Sequence, residues 1–104
     1  MRAIVAKRVD SGTPDLTELQ DLAAAAGYTV VGELTQTRDE DPAYCFGEGK
    51  VEELAGLVVE TDADTVIIDN EVGPFQMFNI GQTLPEEIEV LDRFTLILDI
   101  FGQR

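Results

Sequence analysis

Arg2-Ala3-Ile4-Val5-Ala6-Lys7-Arg8 and Asp64-Thr65-Val66-Ile67-Ile68-Asp69 are the two stretches on which the fold turns. Each is a short unbroken apolar run bounded by charges, the pattern of a strand buried on both faces of a parallel sheet. Both therefore belong at the centre. Tyr28 to Thr37 turns polar after Val31, and Glu87 to Leu91 alternates Ile88, Glu89, Val90, as edge strands do. The expected order across the sheet is second, first, third, fourth.

Helical patterns separate these strands. The first has Thr13 as N-cap and Pro14 in its first turn, with Leu16, Leu19, Ala23 and Ala26 on one face and Gly27 as terminator. The second begins near Glu48 and turns Val51, Leu54, Ala55 and Val58 inward, with Glu48, Glu52 and Glu53 favoured near the positive end of the helix dipole. A third runs from Pro74 to about Thr83, with Phe75, Met77 and Phe78 read as packing residues. The last, Phe94 to Gln103, carries Phe94, Ile97, Leu98 and Phe101 on one face and Leu96 and Ile100 outside it, more apolar surface than one sheet face needs. Strands alternating with helices give a three-layer α/β domain, a four-stranded mainly parallel sheet of order 2-1-3-4 with helices on both faces.

At 104 residues the chain is a single domain, able to bury roughly two thirds of its unfolded surface. No apolar run approaches the ~20 residues of a membrane span, and the N-terminus lacks a signal-peptide pattern, so a cytoplasmic location without membrane partners is expected. The single cysteine, Cys45, fits a reducing compartment and reads as a buried small apolar residue, having no partner base. With no histidine, His-dependent acid-base chemistry and His-ligated metals are excluded. The net charge of −14, from 21 acids against 7 bases, would ordinarily repel nucleic acid. Acids spread over three of the four helices and the loops resemble the surface of a halophilic archaeal protein, where molar salt shortens the Debye length to ~3 Å.

Ligands of such folds bind at the carboxyl ends of the strands. There the reading places Lys7, Arg8, Arg38, Lys50 and Arg93, together with Asp69, Asn70, Glu71 and Asp92. The run Tyr44-Cys45-Phe46-Gly47-Glu48-Gly49-Lys50-Val51 delivers a lysine to a helix start but fails as a Walker A loop, which needs glycine where Tyr44 stands and Ser or Thr where Val51 stands. Gly47 and Gly49 could still let an anion approach the backbone, with Lys50 supplying charge; the plainer reading is a turn before a helix. Asp69, Glu71 and Asp92 could hold Mg²⁺ or act as an acid-base pair, but ion pairing with Arg93 and Lys50 is the better reading. No basic patch interleaved with aromatics, of the RNA-reading kind, is visible. No catalytic residue and no metal site is assigned.

Four segments together resemble the N-terminal domain of HflX-type GTPases. They are Val30 to Gln36, Gly47 to Leu54, Asp69-Asn70-Glu71 with Pro74, Gln76 and Asn79, and Asp92-Arg93 followed by Leu96 to Phe101 and Gln103-Arg104. Departures are Gly73 and Phe78, where the family has Ser and a polar or basic residue, and Phe94-Thr95 in place of Thr-Gly. The resemblance implies a ribosome-associated GTPase engaging the large subunit, with a helical hairpin and a G domain, absent here, that would supply GTP and Mg²⁺ binding. For this chain it implies no cofactor and no GTP hydrolysis of its own. Its expected role is docking on ribosomal RNA through Gly47, Gly49, Lys50, Arg38 and Arg93, beside a polar site of Asp69, Asn70, Glu71, Gln76, Asn79 and Asp92. Two other readings stand beside it: a nucleotide-binding domain using the Gly47–Lys50 loop, and a regulatory cap on the G domain.

Overall fold

The computed structural model describes residues 1–102. Four strands, β1 (Arg2–Val9), β2 (Thr29–Thr37), β3 (Thr65–Ile68) and β4 (Glu89–Asp92), alternate with four helices, α1 (Thr17–Ala25), α2 (Glu48–Thr61), α3 (Pro74–Thr83) and α4 (Arg93–Gly102). All strand pairs are parallel and the order is β2-β1-β3-β4, as the apolar runs demanded. Ala3 to Ala6 and Thr65 to Ile68 are buried without exception. Ile4, Ala6, Val66 and Ile68 face α2 and α3, whereas Ala3, Val5 and Ile67 face α1 and α4. The register of β1 against β2 slips between Ala3 and Ile4, where Val31 is passed over. Among the described residues no helix is long and apolar enough to cross a membrane.

The helices follow their expected spans with two corrections. Residues 13–16 stay outside α1: its first residue is Thr17, whose amide donates to Asp15 Oδ1 at 2.9 Å, so Asp15 rather than Thr13 satisfies an orphan donor at the helix start, and Leu16 stands at the N-cap position. Pro14 restricts Thr13 to extended backbone. The connection is tied down by Lys7 Nζ donating to the Asp15 carbonyl and Thr37 Oγ1 to the Gly12 carbonyl, leaving Leu16 to enter the core before the helix begins. Hydrogen bonds from the Thr17 amide and, next, its side chain hold the Asp15 carboxyl below its usual range. Gly27 does terminate the helix, at φ +93°.

The second correction concerns α4, whose faces are the reverse of those expected. Leu96 is fully buried and Ile100 packs behind it, while Phe94, Leu98 and Phe101 are 59%, 69% and 64% exposed. Periodicity finds stripes but cannot say which stripe meets the sheet, and both stripes here are apolar. Asp92 Oδ1 accepts the Thr95 amide at 2.8 Å and sets the rotation of the first turn. The same holds for α3: Gln76 and Ile80 point inward, and Phe75 and Phe78, read as packing residues, stand in solvent. Gln103 and Arg104, assigned to the end of the last helix and of its family segment, lie outside the described residues.

Burial predicts opposite outcomes for two neighbouring leucines. Leu96→Ala should cost about 2–5 kcal/mol by urea denaturation, as for other fully buried leucines, whereas Leu98→Ala should stay within about 0.5 kcal/mol.

Candidate functional site

Where β1, β3 and β4 end, a buried carboxylate collects the neighbouring cations. Asp69 is 8% exposed. Its Oδ2 lies 3.3 Å from Lys7 Nζ and its Oδ1 3.0 Å from Arg93 Nη1; Arg93 also pairs with Glu18 of α1. One side chain just past β3 thereby ties β1 to the start of α4 and, through Arg93, to α1. Asn70 completes the join, accepting the Arg8 amide on Oδ1 and donating Nδ2 to the Arg8 carbonyl, both at 2.8 Å. Its side chain continues the ladder that β3 has just left. Arg8 itself is buried, with Nη1 on Asp10 Oδ1 at 2.7 Å and on the Arg38 carbonyl at 2.9 Å. Among the described residues Glu71 makes no hydrogen bond or ion pair, and it is exposed.

The glycine loop is built differently from a phosphate cradle. Gly47 caps α2, but its amide donates to Gln36 Oε1 at 2.8 Å. A Cβ there would come within 2.6 Å of Arg38 Nη1 and 3.1 Å of Gln36 Nε2, so the ends of these two long side chains, from the end of β2 and just beyond it, lie over the glycine and would have to move aside for a larger residue. A Cβ on Gly49 would meet nothing. Lys50 Nζ lies 3.1 Å from Glu53 Oε2 one turn on. The Gly47 amide and the Lys50 ammonium therefore already have partners within the chain, the first on a side chain of β2 and the second on an exposed glutamate of its own helix.

The segment that precedes the loop, hardly read from the sequence, is where the chain is most tightly organised. Asp41 Oδ1 accepts the Ala43 and Tyr44 amides at 2.8 and 2.9 Å, and Asp41 and Cys45 exchange backbone bonds. Cys45 takes φ +68°, and Cys45 and Phe46 are driven fully into the core. From α3, Gln76 Nε2 donates to Glu40 Oε2 at 2.6 Å and to the Asp41 carbonyl at 3.0 Å, and Asn79 Nδ2 to the Ala43 carbonyl at 2.9 Å. Gln76 and Asn79 are thus brought to the loop rather than to Asp69 or Asp92. The Asp-Pro pair at 41–42 was the available signal of this Asx turn. Burial pushes the Cys45 thiol up, a shift that the Arg8 guanidinium beside it opposes only in part.

The structure therefore separates the expected residues into three groups. Lys7, Arg8, Asp69, Asn70 and Arg93 meet at the β1–β3–β4 ends; Gly47, Arg38 and Gln36 meet over the start of α2; Gln76 and Asn79 hold the 40–43 loop. Asp92 caps α4 and Lys50 pairs within its own helix. Among the described residues no group of three or more Cys, Asp or Glu side chains is arranged to hold a metal ion. Of the five edge cations, only Arg38 is exposed and carries no ion pair among the described residues; its Nε donates to the Asp39 carbonyl at 2.9 Å.

Comparison with known proteins places this arrangement. Residues 13–102 match the family described as GTP-binding GTPase N-terminal. The chain is 46% identical to the GTPase HflX of Thermofilum pendens over 98 residues, which is 90% of this chain and 23% of that protein. It is 42% identical to the GTPase HflX of Thermococcus kodakarensis over 87 residues (84% and 19%) and 38% identical to that of Escherichia coli over 96 (91% and 22%). The chain thus spans about a fifth of the length of these curated relatives. Among solved structures, a GTP-binding protein of the hyperthermophilic archaeon Sulfolobus solfataricus in complex with GDP superposes with a TM-score of 0.71 at 23% identity, over 95% of this chain and 30% of that one. A complex of SsGBP with GDP gives 0.77 at 21% identity, over 98% and 29%. These two share the fold.

Two measurements probe the site. Asp69→Asn should cost about 1–3 kcal/mol because it removes the buried negative charge and sets an amide NH2 donor against Lys7 or Arg93, while Lys50→Ala, breaking a surface pair, should cost less than about 1 kcal/mol. Cys45 should resist a thiol reagent at pH 8 in the native chain and react only at the rate at which the chain opens, since it is both inaccessible and protonated.

Proposed function

The chain belongs to the N-terminal domain family of HflX-type GTP-binding proteins, and from that we propose that it is the docking and regulatory module of a ribosome-associated GTPase. The whole protein, in this reading, engages the large ribosomal subunit and acts in ribosome splitting, rescue or biogenesis in the cytoplasm of a salt-adapted archaeon. Its G domain binds GTP and Mg²⁺ and hydrolyses the nucleotide, and a helical hairpin joins the two. The N-terminal module contributes position and control.

The observation that carries the reading is the outer face of α4. Phe94 and Leu98, with Phe101 one turn further, recur at i, i+4 and i+7 on the side away from the sheet. Isolated exposed apolar residues are ordinary, but a contiguous stripe marks a surface that packs against a partner. A helix of the same polypeptide laid along this stripe would bury it by ordinary ridge-into-groove packing. Because Asp92 and Arg93 fix the first turn of α4 to the strand ends, a shift of that helix would be felt at the edge expected to face RNA.

At that edge Arg38 is the base best placed to meet a phosphate, since it gives up no ion pair to do so. Lys50 could exchange Glu53 for phosphate at small cost. Arg93 could not leave Asp69 as cheaply, because the carboxylate it abandons is buried. Such contacts position a domain without reading sequence. The acids around them matter little at molar salt, where charges more than ~3 Å apart are screened.

Cosedimentation of the full-length protein with large ribosomal subunits in concentrated KCl tests the edge. Arg38→Glu combined with Lys50→Ala should weaken binding by about tenfold and flatten its salt dependence by about one phosphate contact each; undiminished binding would show that RNA is met elsewhere. Control of the G domain is tested separately by Leu98→Asp in the full-length protein. A change of about fivefold or more in GTPase rate is expected for a coupled interface, and an unaltered rate would leave the module without regulatory effect.

A further inference from the structure

The first turn of α3 carries a second apolar surface, unrelated to the α4 stripe. Phe75 and Phe78 are 66% and 63% exposed and, three residues apart, share one face of the helix. Through the residues that follow each phenylalanine the helix meets the 39–43 loop, Gln76 bonding to Glu40 and the Asp41 carbonyl and Asn79 to the Ala43 carbonyl. Asp39 and Glu40 are exposed on that loop, and Glu71 is exposed at the end of β3. Glu40, Glu71, Val72, Pro74 and Gln76 line an open cleft of ≈ 540 Å³ between loop and helix. The cation at its base, Arg8, is already engaged with Asp10, so the cleft presents carboxylates to its visitor.

We propose that Phe75, Phe78 and this acidic cleft form a docking site for a cationic segment of another protein, its apolar side chains seated on the two phenylalanines and its Lys or Arg side chains on Glu40 and Glu71. The inference is independent of ribosome docking and of the α4 interface. Charge selects the occupant. RNA and anionic lipid would set phosphates against Asp39, Glu40 and Glu71, whereas a basic polypeptide is complementary to the rim and gains apolar burial at the centre. Glu71, otherwise without a partner among the described residues, acquires one.

The site is held in place by bonds that do not depend on the docked segment. Gln76 also accepts the Gly73 amide on Oε1 at 3.0 Å, which fixes the turn that enters α3. Phe75 and Phe78 contribute nothing to the core, so both can be replaced without unfolding the chain.

The test uses a 15-residue amphipathic helix of leucine and lysine, its glutamate counterpart, and a single-stranded RNA of 15 nucleotides, each titrated into the chain while backbone amide signals are followed. The lysine peptide should shift Glu40, Glu71 and residues 73–79 in a saturable manner, and the other two probes should not. Phe75→Ser with Phe78→Ser should weaken this binding at least tenfold without altering the circular dichroism, and Glu40→Gln with Glu71→Gln should remove most of its salt dependence. Shifts spread equally over the acidic face of α2, at Glu52, Glu53 and Glu60, would overturn the proposal. So would RNA displacing the same signals, sedimentation showing a dimer abolished by the Phe75 and Phe78 replacements, or binding indifferent to those replacements.

Discussion

Eight consecutive-run side chains of β1 and β3, Ala3 to Ala6 and Thr65 to Ile68, are shut off from water on both sides of the sheet. A strand buried on both faces forces helices onto both, and parallel strands require the chain to cross back between them. From this follow the placement of α1 and α4 on one side and α2 and α3 on the other, and the gathering of every strand's carboxyl end at one edge. The Phe46 side chain, delivered by the 41–45 turn, closes the α2 side, and Leu96 the α4 side.

At that edge the polar groups serve the fold before they serve any partner. Asp69 could not be buried without neutralising company, and Lys7 and Arg93 provide it. Asn70 replaces the backbone bonds that β1 loses where β3 turns away. This is why five cations counted on one edge do not make a five-cation binding surface: Lys7 and Arg93 are held by Asp69, Arg8 by Asp10, and Lys50 by Glu53. Arg38 remains, lying over Gly47 and without an ion pair among the described residues. The edge is a rigid platform that can be positioned on a partner, with few charges to give away.

What reaches outward instead is apolar. Phe94 and Leu98 on α4, and Phe75 and Phe78 on α3, give the two helices that flank β4 greasy outer faces, over an inner face that is apolar in α4 and mixed in α3. Gln76, a buried amide at the core face of α3, illustrates the mixing: its two ends are consumed by the Gly73 amide and the 40–41 loop, so its burial leaves no unpaired group.

The sequence alone determined the strands, their order, the parallel sheet and the span of α2 and α3, because an unbroken apolar run and a charged flank permit few placements in a chain of this length. It also determined the family, through four short segments whose order carries more than any one of them. Only the tertiary structure decided which stripe of α3 and α4 faces inward, that Asp15 and not Thr13 supplies the acceptor at the start of α1, and which cations at the strand ends are already spent. Those outcomes depend on partners distant in sequence: Glu18 on Arg93, Gln36 on Gly47, Gln76 on Glu40. Local periodicity fixes what a segment can become, and the competition among distant side chains for buried hydrogen bonds and core volume fixes which of its faces is used.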